Sequence, residues 1–230
     1  MKMKLQREDL LLYAVTDRSW LKEKSLVKQV EEAVKAGVTL VQLREKEMPL
    51  QDQLLQAREI HDVTKHYGIP LIINDDIEVA LAVQAEGVHL GQEDIELLDA
   101  RERLGADKII GISAHTVEEA ITAQKNGADY IGVGAVFATT TKNDAKTVTR
   151  ETLTAICDAV TIPVVAIGGI SSDNILSLKG TGIAGVAVVS ALFAQPEIGE
   201  AARTLALLAH QVVNEKKEIY QSKRIIKNIG

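Results

Sequence analysis

Eight short apolar runs recur along the chain, and most are apolar on both alternations of the strand repeat. They cover residues 11–16, 40–44, 71–74, 87–90, 109–113, 130–134, 163–168 and 185–190. A strand with one wet face alternates apolar and polar residues. A strand apolar on both sides must be covered on both, as in parallel sheets wrapped by helices. Helical patterns fill the gaps. Residues 25–36 place Leu26, Val30, Ala33 and Val34 on one stripe, and residues 50–67 do the same with Leu54, Ala57, Ile60 and His61. Thr116 followed by Glu119 predicts a capped helix ending near Asn126. Gly37, Gly87, Gly127 and Gly182 stand between a helical pattern and the next strand, where a left-handed residue is expected to close the helix. The alternation predicts an α/β protein, a (β/α)8 TIM barrel of eight strands and eight helices; an open doubly wound sheet is the alternative.

No linker interrupts the series. All 230 residues read as one domain, with the barrel at about 11–213 and a tail at 214–230. In the tail Lys216, Lys217, Lys223, Arg224 and Lys227 outnumber Glu215 and Glu218, so it reads as an extension of the last helix or a solvated end. The net charge of −6 argues against nucleic-acid binding, which needs a basic surface, and requires a local cationic pocket for any anionic substrate. One cysteine, Cys157, excludes an internal disulfide and a multi-cysteine metal site; its place in a helical pattern suggests packing. The apolar run from Leu10 to Val15 is too short for a signal core or a membrane span, so the expectation is a soluble, cytoplasmic chain with no membrane partner.

A parallel barrel carries its chemistry at the C-terminal ends of its strands. Five strand ends here, the second, third, fourth, sixth and eighth, carry polar, phosphate-binding or metal-binding residue types, and the fifth and seventh add to them. The second leads into Gln42, Leu43, Arg44, Glu45 and Lys46. Strand alternation sends Gln42, Arg44 and Lys46 to the same side, toward the barrel mouth, where two cations suit phosphate oxygens. Pairing with Glu45, Glu47 or Asp75 is the competing explanation. The third strand ends in Asn74, Asp75 and Asp76, and the fourth in Gly91, Gln92, Glu93 and Asp94. Carboxylates from adjacent strand ends can share a hard cation such as Mg²⁺, although Asp76 and Asp94 can equally cap helices. His89, inside an apolar strand, reads as a hydrogen-bonded core histidine. Ser113 closes the fifth strand, and His115 beside it suits a structural hydrogen bond. After the sixth come Thr139, Thr140, Thr141 and Lys142, which can hold a phosphate or simply form a solvated loop. Gly168 and Gly169 after the seventh strand, with Val189 and Ser190 after the eighth, match the usual barrel phosphate site. No Ser-His-Asp arrangement or histidine cluster suggests nucleophilic or metal-histidine chemistry.

Taken in order, Gln-Leu-Arg-Glu-Lys, Asn-Asp, Gly-Val-His-Leu-Gly-Gln-Glu-Asp, Gly-Ile-Ser-Ala-His-Thr, Thr-x-Thr-Lys-x-Asp, Ile-Gly-Gly-Ile and Val-Val-Ser-Ala resemble the thiamine phosphate synthase family from about Leu11 to Phe193. The resemblance implies a Mg²⁺-dependent transferase joining two small molecules, 4-amino-2-methyl-5-hydroxymethylpyrimidine diphosphate and 4-methyl-5-(2-phosphoethyl)-thiazole or its carboxylated form. It assigns the pyrimidine diphosphate to Gln42, Leu43, Arg44, Glu45, Lys46, Asn74, Ser113 and Lys142, with Arg44, Lys46, Ser113 and Lys142 acting in catalysis. Asp75 and Asp94 would bind Mg²⁺. Thr139, Thr140, Thr141, Gly169, Val189 and Ser190 would hold the thiazole phosphate. The chain departs from the pattern at Ala135 and Ala138, where many members carry proline, and at Asp76, where many carry arginine. A related thiazole tautomerase and a noncatalytic paralogue that binds phosphate ligands are the competing functions. A homo-oligomer is left open.

Overall fold

The structure, a computed structural model, describes residues 5–21, 24–45, 48–92, 94–139 and 147–227, with side chains to residue 214. Eight parallel strands close into a barrel in sequence order: β1 Leu12–Val15, β2 Leu40–Leu43, β3 Leu71–Asn74, β4 Gly87–Leu90, β5 Ile109–Ala114, β6 Tyr130–Val133, β7 Val164–Ile167 and β8 Gly185–Val188. The last pairing, Tyr13 with Ala187, joins β8 back to β1. The open-sheet alternative is thereby excluded.

The double apolar pattern divides into two layers. Leu12, Val41, Ile73, Val88, Ile110 and Val186 point outward and pack beneath the helices. Tyr13, Leu40, Ile72, Ile109, Tyr130 and Val165 point inward and fill the barrel. Each inward side chain alternates with an outward one because successive Cβ atoms leave opposite faces of a strand. Leu10, completely buried at the end of a 3-10 turn over Arg7–Leu10, plugs the base with Ala184 and the half-buried Leu5.

Six α-helices link the first seven strands: α1 Leu26–Lys35, α2 Leu50–His66, α3 Ile77–Val83, α4 Leu97–Leu104, α5 Val117–Lys125 and α6 Arg150–Ala159. Four begin on an oxygen side chain that accepts a backbone N–H of the first turn: Ser25, Asp76, Thr116 and Thr149. The Thr116–Glu119 signal is met with a shift of one residue, since Glu119 Oε2 accepts from the N–H of His115 at 2.6 Å. The expected helix of the seventh crossover is absent. A single 3-10 turn, Ile175–Leu178, joins β7 to β8. Gly180 and Gly182 follow at once, leaving too few residues to repay helix nucleation. After β8 come a short α7, Ser190–Phe193, and a long α8, Ile198–Lys227, so the helix runs on through most of the basic tail.

Three of the four glycines, Gly37, Gly127 and Gly182, take positive φ, the first two closing α1 and α5 and the third following the 3-10 turn. The fourth does not. Gln84 takes the left-handed conformation at the end of α3, with φ 59°, and Gly87 instead opens β4. Gly87 is needed there for space, because a Cβ would run into the carbonyl of Ile109 on β5.

Candidate active site

The C-terminal ends of β3 and β4 open onto a cleft of about 550 Å³. Its wall includes Glu45, Asn74, Asp75, Asp76, Glu78 and Asp94. The carboxylates divide by role. Asp76 Oδ1 accepts the N–H of Val79 at 2.9 Å and caps α3. Glu78 pairs with Arg103 on the exposed rim. Asp94 does not cap α4, whose first turn follows Glu96; its Oδ2 instead accepts the N–H of Gly91 at 2.5 Å and folds the loop back on itself. Asp75 is held by its own N–H, which donates to the carbonyl of His89 at 2.9 Å, with φ at 61°. Left-handed backbone is uncommon outside glycine, and aspartate is among the residues that tolerate it best. Among the described residues no three His, Cys, Asp or Glu side chains group into a self-sufficient metal site.

Beyond β2 the expected alternation stops, because the strand ends at Leu43. Gln42 faces the barrel interior, while Leu43 is buried outward beneath the helices, so only its backbone can reach a ligand at the mouth. The Arg44 N–H donates to Thr16 Oγ1 at 3.0 Å, and Arg44 lines a second hollow of about 620 Å³ with Asp17, Arg18 and Asp52. Arg44 forms no ion pair with Glu45, Asp75 or any other described residue. Glu45 lies in the wall between the two hollows. Burial pushes its carboxyl above the usual range, with Arg18 and Arg44 pulling the other way and Asp17 adding to the rise. Its Oε1 is buried without a hydrogen-bond partner among the described residues. Lys46, Glu47, Glu93 and residues 140–146, which include Thr140, Thr141 and Lys142, lie outside the described residues.

On the opposite side of the mouth the segment after β6 lies along the loop after β7. Val136 N–H donates to Ile167 O at 3.0 Å and Phe137 N–H to Gly168 O at 3.1 Å. Gly169, at φ 65°, has no room for a side chain, since a Cβ would strike the carbonyl of Ala138. Asn174 holds this turn from outside, donating to Gly169 O at 2.8 Å and accepting from the Ser171 N–H at 2.8 Å. Thr139 ends the described part of the segment. Val189 packs its side chain on the barrel interior, and Ser190 begins α7, a single turn in which the N–H groups of Leu192 and Phe193 donate to Val189 O.

Between the two sides runs a polar chain. Gln42 Nε2 donates to Tyr13 Oη at 2.6 Å; the Tyr13 and Tyr130 hydroxyls lie 2.8 Å apart; Tyr130 Oη is 2.9 Å from His89 Nδ1; and His89 Nε2 is 3.1 Å from Ser113 Oγ. His89 is thus hydrogen-bonded, as its strand position suggests. The part played by the two tyrosines was not read from the sequence. The available signal is the register, in which Tyr130 stands opposite Gly111, a large ring beside an absent side chain. His115 sits 3.4 Å from Glu119 and makes the structural contact expected of it. Cys157 is partly buried among the helices.

Closed parallel strands with polar and acidic groups gathered over their C-terminal ends define a (β/α)8-barrel enzyme. The thiamine monophosphate synthase family profile matches residues 12–192. A thiamine-phosphate synthase of Clostridium acetobutylicum is 51% identical over 201 residues, covering 87% of this chain and 95% of that protein. A thiamine-phosphate synthase 2 of Streptococcus pneumoniae is 44% identical, covering 91% and 100%. The solved thiamine phosphate pyrophosphorylase of Pyrococcus furiosus superposes with a TM-score of 0.84 at 39% identity, over 90% of this chain and 98% of that one. The chain belongs to the thiamine monophosphate synthase family. It is a transferase whose activity is the synthesis of thiamine phosphate.

Proposed function

We propose that this chain couples 4-amino-2-methyl-5-hydroxymethylpyrimidine diphosphate to 4-methyl-5-(2-phosphoethyl)-thiazole, or its carboxylated form, by departure of diphosphate ahead of attack by the thiazole nitrogen. The observation that carries the reading is the meeting of Asp75 and Asp94, from two adjacent strand ends, on one cleft wall. Two carboxylates, with no group of three ligating side chains among the described residues, suit Mg²⁺, which takes one or two protein carboxylates and completes its shell with water and substrate phosphates. The Gly91 N–H holds Asp94 Oδ2, and the backbone of Asp75 is tied to the carbonyl of His89 on the adjacent strand, which keeps the two residues on the same wall. When bound, the ion supplies positive charge against the leaving diphosphate.

The chain's own residues do the rest. Gln42, Arg44, Asn74 and Ser113, with the backbone of Leu43 and the side chain of Glu45, hold the pyrimidine diphosphate; Lys46 and Lys142 join them on the strength of their motifs. Arg44, without an ion pair among the described residues, can turn its guanidinium to phosphate oxygens, an interaction that strengthens as charge moves onto the leaving group. Thr139 to Thr141, Gly169, Val189 and Ser190 hold the thiazole phosphate, which aims the ring nitrogen at the reacting carbon, so that positioning does the work of a nucleophilic side chain. The setting we infer is cytoplasmic; no described helix is long and apolar enough to cross a membrane.

The test mixes purified protein with both substrates and follows thiamine phosphate and diphosphate together, with and without EDTA. Equal, metal-dependent appearance of both products is expected. Binding of the thiazole phosphate without product would overturn the reading, and isomerisation of the thiazole alone would point to a tautomerase.

A further inference from the structure

The five side chains between Gln42 and Ser113 come from β2, β1, β6, β4 and β5, so the chain of hydrogen bonds crosses the barrel interior. Each hydroxyl has one proton to give, and a neutral imidazole has one N–H. Gln42 meets Tyr13 through Nε2, which can only donate. The Tyr13 proton must then go to Tyr130, and the Tyr130 proton to His89 Nδ1. His89 therefore carries its own proton on Nε2 and gives it to Ser113 Oγ. The hydroxyl hydrogen of Ser113 is left to point out of the chain. With the amide reversed, its carbonyl would accept from Tyr13 and every bond would run the other way, ending with Ser113 donating to His89. Any mixture of the two directions strands a hydroxyl hydrogen between two completely buried rings, which costs the full desolvation of that group. Burial raises both phenols well above the ordinary tyrosine range, so neither escapes the constraint by ionising. The Tyr130 ring is locked edge-on to Tyr13, with centroids 6.0 Å apart, and lies 5.5 Å from the ring of His89.

We propose that Tyr130 is a positioning residue at the centre of a one-way relay with Tyr13 and His89, through which the Gln42 amide dictates whether Ser113 offers its ligand a hydrogen or a lone pair. The inference rests on Gln42 and Ser113 facing the pyrimidine diphosphate. Its consequence is that the two residues act as one unit. A ligand edge is read at both ends together, donor against acceptor, and a wrong pattern at one end disturbs the other.

The test has a spectroscopic arm and a kinetic arm. Long-range proton–nitrogen NMR on histidine-labelled protein reports the His89 tautomer, with the resonance identified by its absence from His89→Gln. The parent is expected to show Nε2–H. Gln42→Glu, recorded at alkaline pH to ionise the buried carboxyl, can only accept, so His89 is expected to switch to Nδ1–H although it lies three hydrogen bonds away. In the Tyr130→Phe background the tautomer is expected to ignore residue 42. Tyr13→Phe cuts the same relay one link earlier and serves if Tyr130→Phe does not fold. In turnover, Ser113→Ala is expected to cost about tenfold more in the parent than in Gln42→Glu. An unchanged tautomer in Gln42→Glu overturns the relay, and so does a measurable loss of turnover in Ser113→Ala that is the same in both backgrounds. A tautomer that switches while neither Ser113→Ala nor Gln42→Glu alters turnover upholds the relay and overturns the ligand-facing assignment beneath it.

Discussion

At the base of the barrel, cations close the structure on itself. Arg101 donates to the carbonyls of Gly105, Lys108 and Gly127 and to the Asp129 carboxylate, Arg7 to those of Gly182 and Ile183, and Lys108 to that of Ala85. Most of these carbonyls lie in the turns that lead into the strands, outside the regular ladders, and the side chains supply their donors. At the mouth, Arg44 has no ion pair among the described residues, while Asp75 and Asp94 share a cleft wall. One end uses charge to complete the protein; the other gathers charge along a cleft. Stability and activity should therefore separate along the barrel axis.

The largest separation is expected at Asp75. Asparagine tolerates the same left-handed backbone, so Asp75→Asn removes the charge and keeps the backbone conformation. Turnover at fixed Mg²⁺ should fall about 10²–10³-fold, with no loss of melting temperature. At the other end Leu10→Ala should destabilise the protein by about 2–5 kcal/mol in urea titration while kcat per folded molecule stays the same. A fall in kcat there would break the division. Asp76→Ala sharpens it within the mouth: as the cap of α3 it should cost about 1 kcal/mol and leave the Mg²⁺ dependence unaltered.

The smallest effect concerns His61 and Glu86, 3.2 Å apart on the flank between α2 and β4. His61 Nδ1 faces the carbonyl of Val83 and Nε2 faces the carboxylate, an arrangement that asks for both ring protons. The bond to Glu86 is the main reason His61 binds its proton more tightly than usual, against desolvation. For Glu86 burial is the largest influence and opposes ionisation, but the bonds from His61 and the Leu71 N–H together outweigh it and lower the pKa. The His61 contribution is complete below its ordinary value of 6.5 and fades as pH rises through the raised folded value. The Glu86 contribution is complete above 4.5 and fades as pH falls through the lowered one. His61→Gln should thus lower the melting temperature most between those limits, by the equivalent of about 1 kcal/mol or less, with the gap closing in alkali. A constant gap across pH would show that the pair acts by packing alone.

The fold was legible because its signal is local: a strand apolar on both alternations announces two covered faces wherever it occurs, and helical pattern or a closing glycine placed the connections around residues 25–37, 50–67 and 116–127. The 3-10 turn at Ile175–Leu178 was missed because helix length is set by the room before the return strand, a property of closure. At the mouth, Asp76 and Asp94 could not be told apart by spacing, since both follow strand ends; which one meets a helix N–H depends on where the first turn begins. Arg44 was aimed by an alternation that β2 does not sustain past Leu43. The tyrosines were harder still. Tyr13, Tyr130 and His89 meet across the barrel from strands that are not all neighbours in the sheet, and nothing local in the sequence records that encounter.

Gly111 gives way to the Tyr130 ring and Gly132 lies against that of His89; a Cβ at Gly111 would occupy the space of the phenol itself, and one at Gly132 would come within 3.0 Å of the imidazole. The polar thread is therefore insulated by hydrogen atoms, much as a wire needs a conduit as wide as itself. A methyl group at either glycine would touch no ligand and remove no polar atom, yet it would pinch the conduit and silence one wall of the mouth to the other. Such a variant would look like a packing defect in a melting curve, and only an assay that reads both walls at once would show what had been disconnected.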